Sequence, residues 1–346
     1  MIALRNISKT YPGFSLSNVN LEIDQSDYFV LLGMSGAGKT MLLDIIAGFI
    51  VPDTGSIWVN NNNITRVPIQ KRNIAMVFHD AALFPHLSVR QNIAYPLRRC
   101  KNSNRKVEEL AELVQAKHLL ARYPSDLSAG EKQRIALARA LSVAPDVLLL
   151  DEPLASLDVP TRSHLRTILR NIHAAGTRIV HVTHDYEEAL LLANKVAVID
   201  NGNIVQTGTP EEVFHHPKSE FTARFAGIRN FYYGKTIVDA HQNAYFETSG
   251  CKIQLAGDIS EGAGCLLLRS EDIIISEEKP VSSASNIFKG NVISLEKSRY
   301  GIEVSIHAHL HFVALVTADS VQRLKLEQGK EIFVSFKATA LKCITT

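Results

Sequence analysis

Residues 33–40 read Gly33-Met34-Ser35-Gly36-Ala37-Gly38-Lys39-Thr40, a G-x-x-x-x-G-K-T run between an apolar stretch, YFVLL, and a helix-forming one, TMLLDIIAGF. Glycines free backbone N–H groups to curl around phosphate oxygens, and a helix starting there adds the positive end of its dipole. Lys39 has the reach for β- and γ-phosphates, and the Thr40 hydroxyl is a hard oxygen ligand for Mg2+. A second run, DVLLLDEP, puts Asp151 and Glu152 just past another apolar stretch. Asp151 can hold Mg2+ through water, and Glu152 can act as general base toward an attacking water. A strand ending in Asp-Glu is common and means little alone. Paired with a phosphate loop it points to hydrolysis and not only to binding. Between the two motifs lies SDLSAGEKQRIALARALS, where Ser128 and Glu131 have the spacing of a helix capping box. Ala129 and Gly130 leave the backbone of that helix start open to an anion, although alone it reads as an ordinary helix start.

These residues need a scaffold. YFVLLG (28–33), NIAMVF (73–78), DVLLLD (146–151), RIVHVT (178–183) and KVAVID (195–200) are strand candidates, several continuously apolar as in strands buried on both faces. TMLLDIIAGF, EKQRIALARALS, TRSHLRTILRNIHAAG and DYEEALLLAN are the helix candidates between them, an alternation that predicts an α/β core. TPEEVFHHP begins a further helix with Pro210 in its first turn. His79 stands where the strand of IAMVFHDAALFPHLSV runs into a loop.

After about residue 230 short alternating segments punctuated by glycine predict a small all-β region. FYYGKTI (231–237) echoes IFKGNVI (287–293), and SEGAGCLLLRSEDII parallels LEQGKEIFVSFKATA. This reads as two related β units, about 231–276 and 286–346, joined by the polar linker EEKPVSSASN. The expected division is thus 1–228 and 229–346.

Bulk properties fit this division. At ~150 residues per domain, 346 residues make about two. A hydrophobic content of 46% and a charged content of 21% are ordinary for globular chains, and a net charge of +2 gives no electrostatic argument for nucleic acid. Cys100, Cys251, Cys265 and Cys343 are scattered without metal-type pairing, and the start MIALRNISKT lacks a signal-peptide core, so a reducing cytosol is expected. No apolar run reaches the ~18 residues of a membrane span, so a partner chain would have to supply any membrane part.

The order of phosphate loop, LSAGEKQR, LLLDEP, Ser156-Leu157-Asp158 and THD with His184 resembles the ATP-hydrolysing subunit of an ATP-binding cassette (ABC) transporter. The resemblance covers residues 1 to about 228 and rests on five motifs in family order. It implies a P-loop, RecA-like core with a helical subdomain at about 86–140, and ATP with Mg2+ as cofactors. Tyr11 sits where the family stacks an aromatic on adenine; a half-buried strand tyrosine is the plainer alternative. His184 matches the switch histidine that contacts the γ-phosphate. Two such subunits would pair head to tail, with ATP on one phosphate loop capped by the signature Ser128-Ala129-Gly130-Glu131 of the other and the Asp158 loop across the same interface. A ligand that contacts only the closed state drives closure by its differential affinity. Phe84, Pro85 and His86 would lie near the coupling helix of a membrane permease, at the cytoplasmic face of the membrane.

This chain departs from the family in three places. The signature is usually L-S-G-G-Q, and here Ala129 and Glu131 intervene; a capping box would turn Glu131 back toward its own helix. The third is His79, where the family has glutamine. A neutral imidazole can ligand metal or accept a proton, whereas imidazolium would repel Mg2+, so His79 is expected to retain function with an added pH dependence near the ~6.5 reference value of imidazole. A solvent-facing His79 without a role is the alternative.

The C-terminal region resembles the oligonucleotide-fold-like TOBE domain of importer ATPases, and NIFKGNVISL and residues 314–341 look like the version in molybdate and tungstate importers, with Ser270 where proline is usual. The resemblance implies an extracytoplasmic oxyanion-binding protein as a further partner. Ser294, Lys297 and Ser298 are donors near an expected turn, read first as a solvated turn. Import of sulfate, iron(III), polyamine or sugar is the alternative. A soluble cassette ATPase working on DNA or the ribosome is disfavoured by the single cassette, the lack of basic bias and the importer-type tail.

Overall fold

A computed structural model describes the chain except residues 98–102, 240, 258–260, 299 and 346. Cys100 lies outside the described residues. The chain divides into two compact units, Met1–His216 and Pro217–Thr346.

The first unit runs β1 (Ile2–Tyr11), β2 (Phe14–Ile23), β3 (Tyr28–Leu32), α1 (Lys39–Ala47), β4 (Thr54–Val59), β5 (Asn62–Asn63), β6 (Ile74–Val77), α2 (Val89–Ala94), α3 (Ser103–Leu113), α4 (Ala129–Leu141), β7 (Val147–Asp151), α5 (Val159–Ala174), β8 (Arg178–Thr183), α6 (Tyr186–Leu192), β9 (Lys195–Asp200), β10 (Asn203–Gly208) and α7 (Pro210–His215). Every residue of β3, β7 and β8 is buried. Such strands belong inside a sheet covered on both faces. They sit in a six-stranded sheet of order β10-β9-β3-β8-β7-β6, antiparallel at β10 and parallel elsewhere. Leu32 pairs with Thr183, Asp151 with Val182 and Val77 with Leu150. The C-terminal ends of β3, β8, β7 and β6 therefore stand in a row, at the edge where open α/β sheets bind ligands.

A second sheet, β2-β1-β4-β5, is antiparallel and was not expected from the sequence. The alternation of β1 is broken by a left-handed Asn6 (φ 51°) and by register shifts on either side of Ile7, which hides its period of two. Ile2, Leu4 and Ile7 of this sheet share one core with Leu42, Leu43 and Ile46 of α1 and with Leu31 and Val182 of the parallel sheet. Helix α1 is held between two sheets, which fixes the phosphate loop that opens it. Helices α2, α3 and α4 pack together within the expected helical stretch. Pro210 follows the N-cap Thr209, whose capping box with Glu212 starts α7 as expected.

The second unit begins ahead of the expected boundary at 228. Its first helix, α8 (Glu220–Phe225), buries Ala223 in a cluster with Ile228, Cys265 and Leu267. It continues with β11 (Asn230–Val238), β12 (Ala244–Thr248), β13 (Cys251–Gln254), β14 (Gly262–Leu268), β15 (Ile274–Ser276), β16 (Asn286–Lys297), β17 (Ile302–Ala308), β18 (Leu310–Val316), α9 (Ala318–Arg323), β19 (Glu331–Phe336) and β20 (Leu341–Thr345). Two five-stranded sheets form, β13-β12-β11-β14-β20 and β15-β19-β16-β17-β18. The echoing segments FYYGKTI and IFKGNVI lie on their central strands, β11 and β16. Each carries a glycine under a crossing backbone: a Cβ on Gly234 would sit 2.1 Å from Glu247 O, and one on Gly290 2.4 Å from His307 O. The two repeats exchange their last strands. β15 pairs with β19, and β20 pairs with β14, so each sheet is finished by a strand from the other repeat. One shared core results, from Phe246 and Leu266 to Phe312 and Phe336. Ser294 and Lys297, expected near a turn, are on β16; Ser298 alone stands in the hairpin, where its N–H donates to Gly301 O at 2.9 Å.

Candidate functional site

The phosphate loop joins β3 to α1. A side chain at Gly33 is excluded, since its Cβ would lie 2.5 Å from Ile199 O. Gly36 (φ 83°) and Gly38 (φ 100°) adopt left-handed backbone that other residues avoid, and the space beside Gly36 is open. Lys39 Nζ folds over the loop, donating to Gly33 O at 2.9 Å and Met34 O at 3.0 Å. Met34, Ser35 and Gly36 are exposed and Ala37 is buried, so the rim of the loop faces solvent while its base is anchored.

Strand β7 delivers two carboxylates beside this loop. Thr40 Oγ1 donates to Asp151, 3.1 Å from Oδ1 and 3.3 Å from Oδ2. Burial pushes the Asp151 carboxyl above the usual carboxylate range, against the Thr40 hydrogen bond that lowers it. Burial likewise lowers the Lys39 ammonium, against the attraction of Glu152. Two hard oxygen donors meeting at one point suit Mg2+, whose charge would offset the cost of ionising Asp151.

Glu152 follows β7 with φ 45° and donates its N–H to Val182 O of β8 at 2.9 Å. A non-glycine residue in that region costs on the order of 1–3 kcal/mol, and such residues cluster at functional sites. The conformation directs the carboxylate between two partners. Oε1 lies 3.7 Å from Lys39 Nζ, and Oε2 lies 2.7 Å from His184 Nδ1, just past β8. Lys39, Glu152 and His184 thus form one cluster at the ends of three neighbouring elements, with Thr40 and Asp151 beside it.

The other expected residues are spread around this cluster. Tyr11 ends β1, largely exposed, with Lys9 Nζ 5.4 Å from its ring centroid. It shares a cleft wall with Gly13 and Phe14, which also line the cleft of Ser35, Gly36, Lys39 and Glu152. His79 is exposed in the turn after β6, close enough that a charge on it would lower the Asp151 pKa. Ser128 is the N-cap of α4 in a complete capping box: its N–H donates to Glu131 Oε2 at 2.8 Å, and its hydroxyl accepts from the Glu131 N–H at 3.3 Å. The Glu131 carboxylate turns back on its own helix, as expected, and the Ser128 N–H holds its pKa below the usual range. Gly130 packs on α5, where a Cβ would meet Thr161 Cγ2 at 2.2 Å. Asp158 caps α5, accepting from the Thr161 N–H at 2.8 Å. Among the described hydrogen bonds and ion pairs, Ser128 and Asp158 stay within their own helix starts, apart from the Lys39–Glu152–His184 cluster.

Sequence reasoning missed the residues that hold the His79 loop. Gln133 Nε2 of α4 donates to Phe78 O at 3.4 Å, and Arg139 Nη2 donates to Ala82 O at 2.9 Å. Arg139 also lies over the Phe84 ring, 5.1 Å from its centroid. Ala81 (φ 61°) and Ala82 (φ 40°) are both left-handed, so the loop needs such anchors. The available signal was a polar residue, Gln133, on the apolar face of a helix pattern.

Known proteins resemble the chain along its length. A family model described as ABC transporter matches residues 16–155, and one described as TOBE domain matches residues 282–343. The molybdate/tungstate import ATP-binding protein WtpC of Pyrococcus abyssi is 40% identical over 99% of each chain. The sulfate/thiosulfate import ATP-binding protein CysA of Synechocystis is 38% identical over 96% of this chain and 92% of its own. A solved dimer of the ATP-binding cassette MJ0796 in a post-hydrolysis state, bound to ADP and Pi, is 27% identical with a TM-score of 0.56, covering 61% of this chain and 99% of that one. With its P-loop α/β core and its predominantly β C-terminal unit, this chain belongs to the ABC transporter family as an ATP-binding, ATP-hydrolysing cassette subunit that carries a TOBE domain.

Proposed function

We propose that this cassette powers the import of molybdate or tungstate, as a peripheral subunit on the cytoplasmic face of a membrane permease. The observation that carries this reading is the 40% identity to a molybdate/tungstate import ATP-binding protein along 99% of both chains, C-terminal domain included. Among the described residues no helix is long and apolar enough to cross a membrane, in keeping with a separate permease. An extracytoplasmic oxyanion-binding protein would deliver cargo.

The site residues take roles that their geometry supports. Gly33 to Thr40 would wrap the phosphates of ATP, and Lys39 would leave the Gly33 and Met34 carbonyls to reach the β- and γ-phosphates. Thr40 and Asp151 would hold Mg2+. Among the described residues no three His, Cys, Asp or Glu side chains converge as a metal site, so the remaining ligands would be phosphate oxygens and water, the usual arrangement for Mg2+. Glu152 would accept the proton of the attacking water, and His184 would orient that carboxylate and face the γ-phosphate. Tyr11 would stack on adenine. The signature residues Ser128 to Glu131 and Asp158 would meet the nucleotide of a second copy in a head-to-tail homodimer, which agrees with their separation from the cluster of their own chain.

Sulfate import is the second reading, favoured by a 38% identical sulfate/thiosulfate relative. Uptake by the complete transport complex, with molybdate, tungstate and sulfate in competition, separates the two. Molybdate or tungstate should be taken up in preference to sulfate; sulfate preference overturns the cargo assignment.

A further inference from the structure

Arg162, in the first turn of α5, reaches two loops at once. Nη2 donates to Leu157 O at 3.2 Å, in the loop that leads to the N-cap Asp158. Nη1 lies 3.5 Å from Asp185 Oδ2, directly after His184. The Asp185 carboxylate is divided between two tasks. Its Oδ1 accepts from the Glu187 N–H at 2.7 Å and caps α6, which leaves Oδ2 for Arg162. The turn is pinned further by the Asp185 N–H, which donates to Thr183 Oγ1 at 3.0 Å.

The pair is sheltered, with side chains 24% and 26% exposed. An ion pair in that setting is screened less than one on open surface. Burial raises the pKa of the buried Glu188 of α6, and the His181 contact outweighs it, with Arg162 adding a smaller attraction from the same side. The Arg162 Nε is buried without a hydrogen-bond partner among the described residues. A guanidinium held there with one N–H unpaired is placed for what its fork reaches, since a buried unpaired donor is otherwise costly.

We infer that Arg162 is a positioning residue that ties the Leu157-Asp158 loop to the His184 turn of the same chain. This rests on the proposed roles of Asp158 at the partner interface and of His184 at the γ-phosphate. Movement of the Asp158 loop on dimer closure pulls the Leu157 carbonyl and, through the rigid guanidinium, Asp185. The His184 ring then shifts against Glu152, so hydrolysis waits for closure. Nothing in this link touches the phosphates, so it acts on turnover and not on ATP binding.

The test uses the full chain in its transport complex, with Arg162→Gln, Arg162→Lys, Asp185→Asn and the double variant Arg162→Gln/Asp185→Asn. Arg162→Gln and Asp185→Asn should each lose about tenfold or more in kcat, the scale of one charge-assisted hydrogen bond, with KM for ATP within about twofold. Arg162→Lys should recover part of the loss, because it keeps the charge without the fork. The double variant should be no slower than the slower single one, since both break one link. Should Arg162→Gln fold poorly, Asp185→Asn carries the test, because an amide oxygen preserves the α6 cap. Unchanged kcat, a rise in KM alone, or losses that multiply in the double variant would overturn the inference. Activity in the parent that disappears in Glu152→Gln upholds the functional reading independently of Arg162; a parent complex without ATPase activity overturns both.

Discussion

Glu152 Oε2 stands 2.7 Å from His184 Nδ1 while Oε1 stands 3.7 Å from Lys39 Nζ, so one carboxylate is shared between the histidine after β8 and the phosphate-loop lysine. Both partners withdraw or orient charge on the group proposed to accept a proton from the attacking water. Substituting Glu152→Gln keeps the shape and removes the base. Hydrolysis should fall about 10²-fold or more, the usual scale for a general base, while ATP affinity is kept. Single-turnover rates and nucleotide titration measure the two separately. A variant that hydrolyses ATP at the parental rate removes Glu152 from the chemistry.

Asp151 gives a prediction with an explicit sign. Burial raises its pKa, so the folded chain binds a proton that the unfolded chain releases, and stability falls as pH rises from the ordinary aspartate value through the raised one. At neutral pH without Mg2+ the ionised carboxylate is therefore a cost. Asp151→Asn should raise the melting temperature of the nucleotide-free protein and abolish the further rise that Mg2+ with ATP produces in the parent. A lowered melting temperature in the absence of nucleotide would contradict this reading of the burial.

The capping box at the signature predicts the opposite sign. The Glu131 pKa is lowered, chiefly by the Ser128 N–H, so its contribution is present above the ordinary glutamate pKa and is lost as pH falls through the lowered one. Glu131→Gln keeps an acceptor but loses the charge, so it should be less stable than the parent at neutral pH and converge with it in acid. Ser128→Ala removes the cap and should cost about 1 kcal/mol. Denaturant midpoints at neutral and acid pH decide both.

His79 faces the same end of the sheet as Asp151. Protonation there would set a positive charge near the proposed Mg2+ site, so parent activity should fall on the acid side more steeply than that of His79→Gln across about pH 5.5 to 8. Superimposable profiles would show that the imidazole has no titrating role in turnover.

The residues of the candidate site were legible because phosphate chemistry constrains a short contiguous run: the glycines, Lys39 and Thr40 announce themselves together, and DVLLLDEP is an apolar strand ending in acids. The parallel strands were equally plain, since burial on both faces leaves an unbroken apolar string. The antiparallel sheet of β1, β2, β4 and β5 was hidden by bulges and by the left-handed Asn6, which erase the alternation that marks a half-buried strand. The strand exchange between the β repeats was hidden for another reason. Sequence similarity reports which segments are alike, and the pairings of β15 with β19 and of β20 with β14 are long-range contacts that leave no local pattern. Arg139, Gln133 and Arg162 belong to the same class. Each is a polar residue on a helix, and only the fold reveals the carbonyls and carboxylates it grips.

The import assignment is tested by ATP hydrolysis of the complex reconstituted in lipid with its permease and binding protein, comparing molybdate, tungstate and sulfate. Hydrolysis that requires Mg2+, is stimulated by molybdate or tungstate above sulfate, and is lost in Glu152→Gln is the expected result. Equal rates with and without oxyanion, or stimulation by sulfate alone, would contradict it.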